Sequence, residues 1–123
     1  MIGYVTLGTG DIERAASFYD ALLAELDIKR TFSLERFIAW GPDAKAPSLA
    51  ICTPYDNEPA TVGNGVMVAL RVKTSEEVDK VYSKAIELGG SCEGPAGPRG
   101  TTGFYAGYFR DLDGNKLNVY CQK

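Results

Sequence analysis

The chain has 123 residues, 45% of them hydrophobic, and carries a net charge of −3 from 13 basic and 16 acidic side chains. That length suits one compact domain, or two small halves around one core. The charge balance argues against a nucleic-acid protein, which would show a basic patch or stripe. No apolar run reaches membrane-spanning length. The start, Met1-Ile2-Gly3-Tyr4, lacks the basic and apolar regions of a secretory signal. Cys52, Cys92 and Cys121 have no CxxC spacing, which disfavours a disulfide framework or a zinc site and predicts reduced thiols in a cytoplasmic protein. Histidine is absent altogether. That removes the commonest metal ligand and the usual proton carrier near neutral pH.

Tyr4-Val5-Thr6-Leu7 is β-branched and aromatic and reads as a strand. Asp11 is a helix N-cap, and Ala15, Phe18, Tyr19, Leu22, Leu23 and Leu26 follow at helical spacing, as a surface helix meeting a core requires. Strands are expected at Lys29 to Leu34, Phe37 to Gly41 and Ser48 to Thr53. A Pro, Gly and Asn-rich stretch from Thr53 to Gly65 reads as a linker.

The pattern then restarts. Val66 to Val72 reads as a strand and Ser75 as an N-cap, with Glu76 and Glu77 suiting the helix dipole. Val78, Val81, Tyr82, Ala85, Ile86 and Leu88 form an apolar stripe that Gly89-Gly90 ends. Short strands follow at Ser91 to Glu93, Phe104 to Arg110 and Leu117 to Tyr120. The Gly/Pro stretch Gly94 to Gly103 reads as a loop able to act as a flap. Each half thus reads strand, helix, three strands, as repeats 1–58 and 64–123 of one α+β domain. The first strands correspond when Tyr4 is paired with Met67. Each half has an apolar face that needs a partner, so two halves side by side predict an open, curved mixed sheet around a central cleft.

Two segments carry a family resemblance. Gly8-Thr9-Gly10-Asp11-Ile12-Glu13-Arg14-Ala15 with Phe18-Tyr19 resembles the first strand-to-helix joint of the vicinal oxygen chelate superfamily, which includes glyoxalase I, bleomycin-resistance proteins and extradiol dioxygenases. Phe109-Arg110-Asp111-Leu112-Asp113-Gly114-Asn115-Lys116-Leu117 resembles its final hairpin. The rival reading of Asp111 and Asp113 as a calcium loop lacks the carboxylate at the twelfth position. In metal-bearing relatives the first strand of each half supplies a histidine or similar residue and the last strand a glutamate or similar residue. The resemblance places Tyr4, Met67 and Asn118 at three of those positions and Ala50 at the fourth. A phenol, a thioether and an amide are not a divalent-metal ligand set. No metal and no cofactor is therefore expected.

By strand alternation Tyr4, Met67, Asn118 and Tyr120 are expected on the concave face, with Arg99 on the flap as an anchor for a carboxylate or phosphate. The same residues also suit a filled core, and Met67 in particular suits gap filling. Cys52 shares the face of Ala50 but lacks a histidine to activate it. Tyr105 and Tyr108 must point to opposite faces. Three functions stay open. One is a metal-independent small-molecule binder similar to the bleomycin-resistance branch. A second is a glyoxalase-like lyase or other enzyme using groups such as Tyr4 or Cys52. The third is a homodimeric interaction module with a vestigial cleft. The resemblance also implies a homodimer, whereas neither nucleic acid nor membrane is expected as a partner.

Overall fold

A computed structural model describes residues 1–123. Each half follows the expected strand, helix, three-strand order. The first comprises β1 (Tyr4–Gly8), α1 (Ile12–Ala24), β2 (Lys29–Leu34), β3 (Phe37–Gly41) and β4 (Ser48–Cys52). The second comprises β5 (Val68–Arg71), α2 (Ser75–Glu87), β6 (Ser91–Arg99), β7 (Phe104–Arg110) and β8 (Lys116–Gln122). Hydrogen bonding runs β1-β4-β3-β2 in one sheet and β5-β8-β7-β6 in the other. The first and last strands of each half pair in parallel; the remaining pairs are antiparallel. The sheets stay open, with β1 and β5 as free edges.

Local chemistry explains the helix starts. Asp11 caps α1 by accepting from the Arg14 N–H at 3.1 Å. Thr74, not Ser75, caps α2: its hydroxyl accepts from the Glu77 N–H at 3.1 Å. Thr74 has a glutamate three residues on, whose carboxylate accepts from the Thr74 hydroxyl at 3.4 Å, whereas Ser75 has Val78 there.

The strand reading of the second half needs correction at two places: β5 starts at Val68, which leaves Val66 and Met67 before the strand, and β6 is longer than expected. The stretch Gly94 to Gly103 is not a free flap, because β6 continues through Arg99 and only the tip at 100–103 turns. Pro95 and Pro98 are tolerated because β6 is an edge strand, where a missing N–H breaks no ladder on the outer side. Its register shifts between Cys92 and Gly94 and between Gly94 and Gly97 absorb the irregularity.

Both helices cover the same side, so the halves share one core. Leu7, Tyr19, Trp40 and Ile51 belong to one buried cluster with Val78, Phe109, Leu117 and Val119. In the first half the bulk comes from aromatics: Tyr19 packs tilted on Trp40 with centroids 5.7 Å apart. In the second, α2 approaches the sheet closely. A Cβ on Gly107 would lie 2.9 Å from the Tyr82 ring.

The two segments that carry the family resemblance touch each other. Asp111 is buried. One carboxylate oxygen accepts from the N–H groups of Asp113 and Asn115, both at 2.9 Å. The other accepts from the Tyr19 hydroxyl at 2.6 Å and the Asn115 amide at 3.0 Å. Asn115 also donates to the Gly8 carbonyl, and the Gly10 N–H donates to Asp113. Gly114 turns the hairpin with φ +88°. Burial, and then the neighbouring Asp111 carboxylate, push the Tyr19 phenol well above its ordinary pKa. The hairpin of one half is thereby fastened to the strand-to-helix joint of the other. Its carboxylates are engaged by protein donors, as a structural turn requires and a calcium loop does not.

Candidate functional site

Strand alternation divides each sheet into a helix-facing side and an outward side. On the first sheet Leu7, Ile38, Trp40, Leu49 and Ile51 face the helices and are buried. Tyr4, Phe37 and Ala50 take the alternate positions and face outward. Tyr4 meets Phe37 edge-on at 5.7 Å, and Phe37 meets Phe32 at 6.0 Å. These three rings line a cavity of about 500 Å³ with Lys45 and Ser48 on its wall. The face is open: Tyr4 is 61% exposed. Cys52 lies on the same side and is half-buried.

The second sheet presents a different outward face. Register pairs Asn118 with Tyr108, Tyr120 with Ala106 and Lys116 with Arg110 on neighbouring strands. Tyr120 stacks on Phe104 at 5.3 Å. The Arg99 guanidinium lies 5.5 Å from the Tyr108 ring centre and the Lys116 ammonium 5.8 Å from it. Arg99 folds back on its own strand and donates to the carbonyls of Pro95 at 2.6 Å and Gly97 at 2.8 Å. Gly94 and Gly97 leave the room for that fold, since a Cβ on either would touch the guanidinium. Arg110 is paired with Glu93 at 2.6 Å, and this hydrogen bond holds the Glu93 carboxyl below its ordinary pKa.

Asn118 is the unusual member of this face. It is 2% exposed, and its Oδ1 is buried without a hydrogen-bond donor. An unmet buried acceptor of this kind costs about 1–3 kcal/mol. Most buried polar groups are paired, so an orphan is a place where a missing partner belongs.

The sequence-derived site residues therefore divide between two sheets. Asn118 and Tyr120 share an outward face, with Arg99 beside them over Tyr108. Tyr4 stands on the other sheet among Phe32 and Phe37. Met67 precedes β5 and lines two further cavities. One, of about 390 Å³, runs between the β1 edge at Ile2 and Val5 and the β5 edge; the other, of about 440 Å³, includes Arg110 and Lys116. None of these three cavities is lined by both Tyr4 and Asn118. Reasoning from the sequence left open which of Tyr105 and Tyr108 faces outward, and missed Lys116. Counting back from Asn118 across the tight hairpin gives Tyr108 as its partner, so that signal was present.

The perturbed tyrosines serve the fold. Besides Tyr19, Tyr82 is raised first by a hydrogen bond with Cys92, and Tyr105 by its 2.6 Å hydrogen bond to Asp79 on α2. Tyr105 thus faces the helix and Tyr108 the outward side, as alternation requires. Trp40 is a core residue whose indole N–H donates to Asp20. Arg36 donates to the Pro54 carbonyl.

The metal that the family fold implies does not fit these residues. Tyr4, Ala50, Met67 and Asn118 offer a phenol, no donor, a thioether and an amide. No group of three or more His, Cys, Asp or Glu side chains is placed to hold an ion.

Comparison with known proteins agrees with the fold. Residues 1–119 match the family model described as the Glyoxalase/Bleomycin resistance protein/Dioxygenase superfamily. A glyoxalase/bleomycin resistance protein from Albidiferax ferrireducens is 34% identical over 100% of this chain and 99% of its own, with a TM-score of 0.90. A hypothetical protein from S. aureus is 27% identical, covering 98% of this chain and 92% of its own at a TM-score of 0.74. A genomically encoded fosfomycin resistance protein, FosX, from Listeria monocytogenes shares the fold at 18% identity. It covers 100% of this chain and 93% of its own, with a TM-score of 0.73. No curated protein matches the chain. Two βαβββ halves, fastened through the Asp111 hairpin and the Gly8–Asp11 joint, place the chain in the glyoxalase/bleomycin resistance protein/dioxygenase superfamily.

Proposed function

We propose that the chain is a metal-independent binder of a small organic molecule, held on the outward faces of its sheets. The observation that carries this reading is the outward chemistry: rings and polar tips stand where metal donors would be needed. The orphaned Asn118 Oδ1 lies within it. Concave, largely apolar surfaces with a few polar groups are the usual form of a small-molecule site. Sequestration needs shape and hydrogen bonding, without an acid, base or ion. Tyr4, Met67, Arg99, Asn118 and Tyr120 are the residues assigned to it.

A second reading is a homodimeric interaction module. It is favoured by the exposed Ile2, Val66 and Met67, apolar surface that a second copy would cover.

A thermal-shift screen of metabolites, run with EDTA and with added divalent cations, tests the first reading. Stabilisation by an organic compound in EDTA, without turnover, is the expected result. Stabilisation that needs a divalent cation would overturn it. Turnover in EDTA would replace binding with catalysis by groups such as Tyr4 or Cys52. A dimer by sedimentation with no ligand response would favour the interaction module.

A further inference from the structure

Arg99 and Lys116 both approach the ring of Tyr108, at 5.5 and 5.8 Å from its centre. Neither takes part in any of the five ion pairs of the chain. The acceptors around Arg99 are neutral carbonyls, so its charge is oriented without being neutralised. Arg110 stands opposite Lys116 in register and carries a third positive charge, which Glu93 compensates. Like charges gathered on one face repel each other and gain by taking up an anion. Beside Tyr108 in register lies Asn118, whose buried carboxamide oxygen lacks a donor; a hydroxyl or N–H on a bound molecule can meet it, whereas an anionic oxygen cannot. Lys116 and Arg110 also line the cavity of about 440 Å³ beside the 62–67 segment, so space for a ligand adjoins Lys116.

We infer that the outward face of the second sheet is an anion subsite. It takes a small organic molecule with a carboxylate or phosphate group, which Arg99 and Lys116 hold, and a ring or other flat apolar portion, which lies on Tyr108. This deepens the proposed binding function and rests on it. The pre-oriented guanidinium suits a planar or bidentate oxyanion, and the lysine supplies a point charge that follows its position. The aromatic floor accounts for selection of an organic anion over an inorganic one.

The test is a titration of the full chain with phenyl phosphate, benzoate, inorganic phosphate and phenol, followed by amide chemical shifts. Expected is saturable binding of phenyl phosphate or benzoate, with the shifts centred on Tyr108, Lys116 and Asn118. Phenol and inorganic phosphate should each bind at least about tenfold more weakly, one lacking the charge and the other the ring. Lys116→Gln should weaken binding by about tenfold, as loss of one charge-assisted contact implies. Arg99→Gln should do the same, but Arg99 also braces β6, so Lys116→Gln, whose side chain makes no hydrogen bond, carries the decision. Lys73→Gln, an exposed cation outside both faces and without an ion pair, should leave binding unchanged. Equal losses from Lys73→Gln and Lys116→Gln would show diffuse charge attraction and overturn the subsite. Shifts confined to Tyr4 and Phe37 would also overturn it while leaving small-molecule binding intact. Failure of all four probes, while an uncharged metabolite from the thermal screen binds, would likewise sink the anion assignment alone.

Discussion

The two halves share a topology and differ in what they show to the outside. The first sheet presents Tyr4, Phe32 and Phe37 around a cavity whose one charged lining residue is Lys45. The second presents Tyr108 with the Arg99 and Lys116 cations near its ring, beside the buried amide of Asn118. Their inward sides agree in kind, because both must fill one core. The difference teaches that pairing pattern and helix packing constrain one side of each strand only. Alternate positions are left free to diverge in chemistry. Function is to be sought in that outward divergence, and fold in the inward agreement.

The sharpest way to break this comparison is to cut what joins the halves. Asp111→Ala leaves the Tyr19 hydroxyl, two backbone N–H groups and the Asn115 amide without their acceptor. A loss of roughly 3 kcal/mol or more is expected, at about 1 kcal/mol or above for each donor left unpaired. Urea unfolding followed by Trp40 fluorescence and by far-UV circular dichroism checks it. The wild type should lose both signals together. Coincident transitions that merely shift would keep the halves as one unit, whereas wild-type signals that already separate would mean two independent units.

A smaller effect of opposite sign sharpens the assignment of the outward face. Asn118→Leu removes an unmet acceptor from a buried position. The free protein should be unchanged or gain up to about 1 kcal/mol, while a ligand whose hydroxyl or N–H donates to this oxygen should bind more weakly. A core amide that serves stability alone would give the reverse, a clear loss in the unfolding free energy.

The smallest effect compares one ion pair from each half. Arg30 lowers the Asp20 carboxyl, and Arg110 lowers that of Glu93, in each case chiefly through a hydrogen bond. Depressed folded-state values stabilise the protein above the unfolded carboxyl pKa, near about 4. That contribution disappears as pH falls through the folded values. The thermal midpoint should therefore fall as pH drops below about 4. Asp20→Asn should cost about 0.2–1 kcal/mol at pH 7, as an exposed pair allows, and flatten part of this acid dependence.

Much of the architecture was legible in the sequence because it depends on short-range rules. Asp11 as a cap, the apolar stripes, Gly114 in the hairpin and the opposite directions of Tyr105 and Tyr108 all follow from spacing. The exceptions have local causes. Thr74 outcompetes Ser75 because Glu77 stands three residues beyond it. The β6 edge keeps Pro95 and Pro98, which composition alone reads as a loop. The site was legible one face at a time. Alternation puts Asn118 and Tyr120 together, but whether Tyr4 joins them depends on how two sheets sit, and no local rule encodes that. The contact between Tyr19 and Asp111, 92 residues apart, is of the same kind.

The fastening between hairpin and joint has a further consequence. Most of the residues by which this chain is recognised as kin are occupied with each other, at a seam between the halves. A sequence search keyed to them detects a way of joining two halves, and says little about what either face touches. Ligands and chemistry can then change by substitution at Tyr4, Asn118 or Arg99 while the mark of kinship stays untouched. For an engineer the same separation is useful: both surfaces can be rewritten without disturbing the lock.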